Sequence, residues 1–293
     1  MSRFALPLFA FLGLAQCRAP VSTASHEPVV QAPAAPSSLP PTPDAGLAVS
    51  GADGREAPRT DGGSVAADFG HDPTVALAVP TFADAVVHVP LGRTRPAPIV
   101  VAAHGNYDRP EWQCGEWGRL FGTRAFVLCP RGVMRSDSPS RDDVRFTYDN
   151  ASRFSAEVDA AVLALRARFG AAVDPGSMAY VGFSLGALFG VTYALRESSP
   201  VARMVLIEGG HTSWSADLAK RFARKGGQRV LFACGQSACT GDAKRAGALL
   251  AAVNVAVFVA PSTGEGHTYG GGVAAQVAQR LDWLLEGDAR FVK

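Results

Sequence analysis

From residue 81 onward the apolar positions fall into two alternating rhythms. Short runs rich in β-branched residues recur at 85–89, 98–103, 125–129, 203–207, 229–233 and 255–260. Continuous apolar runs of this length read as buried strands. Between them lie longer stretches with apolar residues three and four apart, at 152–169, 215–224, 242–253 and 273–286. Those read as helices, and Gly170 and Pro175 punctuate the end of the first. Strands that alternate with helices predict a mostly parallel, doubly wound sheet with helices on both faces. Sites in such sheets form at the carboxyl ends of the strands.

One junction stands out from this rhythm. Tyr180-Val181-Gly182-Phe183-Ser184-Leu185-Gly186-Ala187 runs from an apolar strand through Gly-x-Ser-x-Gly into a run of helix formers at 187–196. A sharp strand-to-helix corner needs small neighbours, and Gly182 and Gly186 supply them. Ser184 is thereby expected at the apex in a strained backbone conformation, its hydroxyl above the sheet edge, as a nucleophile would be.

The pattern is different upstream. Arg3 and the apolar stretch 4–14 form a targeting segment too short to span a bilayer. It ends in Leu14-Ala15-Gln16-Cys17, which resembles the lipobox of bacterial lipoproteins, so Cys17 is the expected acylation site. Gln16 departs from the small residue usual before that cysteine, and plain secretion is the alternative. Both imply export. Residues 18–80 hold half of the chain's 20 prolines and a single aromatic, Phe69. Such a stretch buries too little apolar surface to offset its ordering entropy, so a disordered linker carrying His26 and His71 is expected there. The folded domain is expected at 81–293. Its charge gives no reason to expect nucleic acid as a partner: the 293 residues carry +2 net and no basic stripe.

Three further pieces fall at strand ends. His104-Gly105-Asn106 follows a buried run, and its turn can aim the Asn106 N–H at a developing oxyanion beside that of Leu185. His104 precedes the serine and is not read as the base. Gly264-Glu265-Gly266-His267-Thr268-Tyr269 lies between the last strand and the last helix, which suits His267 as the base. His211 is the rival base, and His88, inside an early strand, reads as structural. The acid is expected after strand 229–233, where Asp242 is the carboxylate available, although it could instead cap the following helix. Glu208, one strand earlier, is the competing acid, and a missing or water-replaced acid is the third possibility.

At this point the sequence resembles the α/β-hydrolase superfamily, on Gly182-Phe183-Ser184-Leu185-Gly186, His104-Gly105 and Gly266-His267. Cys129-Pro130-Arg131-Gly132 and Val173-Asp174-Pro175 are similar to its small lidless esterases, the dienelactone-hydrolase, carboxylesterase and polyester-depolymerase-like groups. The order serine, acid, histidine matches that fold, though Asp242 lies farther from its strand than the family's usual Gly-x-x-Asp. The resemblance implies ester hydrolysis through an acyl-enzyme, with no metal and no organic cofactor. The expected partner is a small or polymer-end ester, together with a membrane if Cys17 is acylated. Only about twenty residues join strands 203–207 and 229–233, too few for a cap. Trp112, Trp117 and Tyr269 are candidates for an apolar wall, and Arg131 for an anionic substrate group or a loop salt bridge. A serine peptidase, an inactive binding module and a structural envelope lipoprotein remain the alternative readings.

The five cysteines fit export. Acylation of Cys17 leaves an even number; Cys234 and Cys239 are close enough to staple one loop, and Cys114 would then pair with Cys129. Four reduced, buried thiols are the alternative.

Overall fold

The computed structural model describes residues 73–292. The targeting segment, Cys17, His26, His71 and nearly all of the expected linker lie outside the described residues. Folded structure begins earlier than 81. Strand β1 (Thr74–Leu77) pairs antiparallel with β2 (Ala85–His88), because its short alternating pattern has a neighbour to bury Leu77 against.

The remaining elements follow the alternation closely. They are β3 (Ile99–Ala103), α1 (Pro110–Phe121), β4 (Phe126–Cys129), the short pair β5 (Val133–Met134) and β6 (Phe146–Thr147), α2 (Ala151–Phe169), β7 (Met178–Phe183), α3 (Leu185–Ala194), β8 (Val201–Ile207), α4 (Ala216–Arg224), β9 (Arg229–Cys234), α5 (Ser237–Ala251), β10 (Ala256–Pro261) and α6 (Gly271–Leu285). Eight strands form one sheet in the order β1-β2-β4-β3-β7-β8-β9-β10. From β4 to β10 every neighbour is parallel, so the carboxyl ends of β3, β7, β8, β9 and β10 share one edge. None of the described helices is long and apolar enough to cross a membrane.

Both faces of this sheet are buried, which is why the strands read as continuous apolar runs. In β3, Ile99, Val101 and Ala103 join one core while Val100 and Ala102 join the other. The first core holds Phe154 and Leu165 of α2, Val191 of α3, Phe222 of α4 and Leu250 of α5. The second holds Trp117 and Phe121 of α1 with Val277 and Leu281 of α6. Trp117 is fully buried there and lines no open wall. Two disulfides pin helices to strands: Cys114–Cys129 joins α1 to β4, and Cys234–Cys239 joins β9 to α5.

Helix α1 was not evident from the sequence pattern, because two glycines and two tryptophans dilute its helical signal. Gly118 is there for clearance: a Cβ would come within 2.6 Å of the His88 ring. Gly115 has no such role, since a Cβ would meet nothing closer than Arg119 Nη1 at 3.7 Å. Gly186 is the opposite case; a Cβ would run into the carbonyl oxygens of Ala103 and His104. Urea unfolding should separate the two. Gly115→Ala should stabilise the domain by about 0.5–1 kcal/mol, the ordinary helix-interior gain. Gly186→Ala should destabilise it by about 1–3 kcal/mol or more, because backbone must move.

Candidate active site

The corner between β7 and α3 has the expected form. Ser184 sits at φ 51° and ψ −114°, a strained region for a residue with a side chain. Its N–H donates to Ile207 O at 2.9 Å, which ties the corner to the end of β8. Glycines provide the clearance. A Cβ on Gly182 would lie 2.7 Å from the Ala187 backbone, and one on Gly209 would strike the carbonyl oxygen of Ser184.

His267 arrives on the loop between β10 and α6. Its Nε2 lies 2.9 Å from Ser184 Oγ and its Nδ1 lies 3.3 Å from Glu208 Oε2. A carboxylate only accepts, so the Nδ1–H donates to it and the Nε2 lone pair is left facing the serine hydroxyl. Glu208 is buried at the end of β8, its side chain 1% exposed. Its other oxygen, Oε1, accepts the N–H groups of Gly235 and Gln236 at 2.5 and 2.9 Å. The carboxylate is therefore held from one side and presented to the imidazole on the other.

This corrects the expectation about Asp242. Helix α5 begins at Ser237, five residues before the start the sequence pattern suggested, so Asp242 lies inside the helix and neither reaches His267 nor caps α5. It pairs instead with Arg245 and stands 3.7 Å from His211 Nε2. His211 makes no hydrogen bond to Ser184 among the described residues, and burial lowers its pKa.

The turn after β3 is held by its own hydrogen bonds, with one N–H left over. The N–H groups of Gly105, Tyr107, Asp108 and Arg109 have acceptors: Asp108 Oδ2, Phe146 O twice, and Asp108 Oδ1. That of Asn106 has no acceptor among the described residues. Leu185 opens α3, where the first N–H groups have no carbonyl partner within the helix. Neither of the two N–H groups named from the sequence is thus taken up by an acceptor among the described residues. His104 is structural. It is fully buried, stacked on Tyr148 at 4.4 Å, with ring nitrogens 2.7 and 2.8 Å from the carbonyl oxygens of Gly105 and Arg131, and burial lowers its pKa.

A family model for the alpha/beta hydrolase fold matches residues 98–232. The chain has the α/β-hydrolase fold. No curated protein matches it in sequence. It is similar to a fluorophosphonate-binding serine hydrolase of Staphylococcus aureus, at 12% identity and TM-score 0.51, over 73% of this chain and 97% of that one. It is also similar to a thermostable esterase, at 16% identity and TM-score 0.52, over 73% of this chain and 63% of that one. A third similar structure is an uncharacterized protein of Bacillus cereus, at 14% identity and TM-score 0.51, over 66% of this chain and 61% of that one. The chain thus spans less than two thirds of the length of the last two.

The weaker substrate candidates fare unevenly. Arg131 is no free anion binder: its guanidinium bridges Glu111 at 2.7 Å and the carbonyl of Asp84 at 2.7 Å, bracing the loop after β4. Tyr269 is half-buried, its ring 5.0 Å from that of Phe183, which also touches His267. Trp112 is exposed at the rim under the guanidinium of Arg145 at 4.4 Å, with Tyr107 beside the same arginine at 5.5 Å. Sequence reasoning missed Asp108. Its buried carboxylate fixes the Asn106 turn and accepts from Gln113 Nε2 at 3.2 Å and Tyr269 Oη at 3.5 Å. A lone Asp in a Gly-Asn-Tyr-Asp turn carries no signal beyond its turn propensity. Glu208, Cys234 and Cys239 are the metal-ligating types clustered among the described residues, within 4.8 Å of one another. Both sulfurs are joined in the disulfide, so no thiolate is offered.

Proposed function

We propose that this protein of α/β-hydrolase fold is an exported serine hydrolase acting on carboxylic esters, with Ser184 as nucleophile, His267 as base and Glu208 as acid. The observation that carries this reading is the continuous chain Ser184 Oγ, His267 Nε2, His267 Nδ1, Glu208 Oε2, together with two N–H groups not taken up by an acceptor among the described residues. Ser184 Oγ attacks the acyl carbon while His267 Nε2 takes its proton. The N–H groups of Leu185 and Asn106 hold the oxyanion. Collapse expels the alcohol, which takes the proton back from His267. Water, deprotonated by the same nitrogen, then releases the acid. Glu208 keeps the proton on Nδ1 and stabilises the imidazolium.

An open site favours esters that approach from solvent. Between β8 and β9 there is only a short 3₁₀ turn and the nine residues of α4, and the His267 side chain is 47% exposed. Small esters and exposed polymer ends fit such access. The similar Staphylococcus aureus protein is described as a fluorophosphonate-binding serine hydrolase and another as an esterase, which supports the same chemistry. The two disulfides are compatible with an oxidising compartment and so with export.

A fluorophosphonate probe and a panel of short aryl and alkyl esters test the assignment. Ser184→Ala should abolish labelling and cut turnover by at least about 10³-fold with the fold intact. Glu208→Gln should cut it by up to about 10⁴-fold through the wrong tautomer. Asp242→Asn should stay within about threefold, because it disturbs only a surface pair. Labelling that survives Ser184→Ala refutes the nucleophile, and the reverse ranking of the two acid variants returns the role to Asp242.

Anchoring through Cys17 is read separately, from the mass of the N-terminal peptide of protein recovered from membranes. Acylated Cys17 is the expected first residue. An unmodified N-terminus at any other position rules the lipid anchor out.

A further inference from the structure

The Cys234–Cys239 disulfide lies against the candidate acid, and the segment it closes hydrogen-bonds both to Glu208 and to the loop that carries His267. Cys234 is the last residue of β9 and Cys239 lies in the first turn of α5. Their Cα atoms are 5.6 Å apart with four residues between them. Within that loop, the N–H groups of Gly235 and Gln236 are the two that hold Glu208 Oε1. The carbonyls of the same segment face the other way. Cys234 O accepts from Ser262 N at 2.7 Å and Gly235 O accepts from Gly264 N at 3.1 Å, fixing the start of the loop that carries His267. Gly235 is also packed so that a Cβ would strike the carbonyl oxygen of Gly266, next to His267.

Two backbone units thus orient both partners of one hydrogen bond. Gln236, at the helix N-cap, has no side-chain cap, and Gly235 is the residue type with most freedom to move. Without a covalent tie, the direction of these N–H groups would rest on the helix end alone, which frays readily. We propose that the Cys234–Cys239 disulfide is a positioning device for catalysis. It locks the Gly235–Gln236 turn so that Glu208 stays aimed at His267, and opening it disarms the enzyme while leaving the fold in place. The inference rests on the triad reading given above. It assigns the two disulfides different work, since Cys114–Cys129 joins α1 to β4 inside the second core and touches neither Glu208 nor His267.

Separating positioning from general stability requires a matched set of full-length variants. Cys234→Ala/Cys239→Ala should lose at least about tenfold in kcat with KM within about threefold, since a loosened acid affects the transition state more than ground-state binding. Cys114→Ala/Cys129→Ala should melt earlier yet keep kcat within about threefold. The decisive arm repeats the first change in a Glu208→Gln background. There, opening the Cys234–Cys239 loop should cost less than about threefold, because the acid it aims is already gone. A loss equal to that in the parent background would mark the disulfide as a merely structural staple and overturn the proposal, as would unchanged kcat in the folded double variant. Should Cys234→Ala/Cys239→Ala fail to fold, graded dithiothreitol with EDTA on Cys114→Ala/Cys129→Ala replaces it. The EDTA keeps the freed thiols and Glu208 from collecting a metal ion. Turnover should then fall in step with thiol release at unchanged circular dichroism, and return on reoxidation; turnover that ignores thiol release refutes the idea. Loss of Ser184-dependent labelling in the unmodified protein would instead be a failure of the triad reading itself.

Discussion

A buried carboxylate is the constraint on which the candidate site depends. An unpaired ion in a protein interior costs several kcal/mol, so Glu208 is tolerable only with its oxygens fully engaged. Gly235 and Gln236 take one oxygen and His267 takes the other. This division of labour is geometric. Because backbone donors saturate Oε1, Oε2 has no competing partner and the imidazole is drawn to it, which turns Nε2 toward Ser184. The carboxyl ends of β8, β9 and β10 must therefore lie side by side, and the parallel register provides this by setting Ile207 beside Ala233 and Cys234 beside Pro261.

Strain gathers where this chemistry is expected. Among the described residues, five non-glycine residues adopt positive φ, and three of them, Tyr107, Ser184 and Glu208, stand in the turn after β3, at the elbow and at the carboxylate beside His267. Each such conformation costs of order 1–3 kcal/mol and persists only where the surroundings over-determine it. The surroundings here are two fully packed cores, hydrogen bonds such as Ser184 N to Ile207 O, and the Asp108 carboxylate that pins the turn. The rim contrasts with this rigidity. Tyr107 and Trp112 are exposed and their arginine neighbours are paired with nearby aspartates, so the mouth is polar and open over a fixed floor.

What depends on local pattern was determined by the sequence alone: the buried strands, most helices, the elbow at Ser184 and the histidine loop; the cysteine pairing was an expectation, with reduced thiols as the alternative, until the folded chain brought the partners together. Periodicity and glycine punctuation are properties of adjacent residues, so no folding is needed to read them. The identity of the carboxylate beside His267 was decided only by tertiary structure. Glu208 is 59 residues from His267 in sequence, and nothing local links the two. Asp242 looked nearer to the right strand, but α5 starts at Ser237. At a rise of about 1.5 Å per residue, that carries Asp242 some 7 Å along the helix, away from the strand ends. Helix α1 and strand β1 were equally hidden. The first is glycine-bearing to clear His88 and the second is four residues long, so both depend on a neighbour that only the folded sheet supplies.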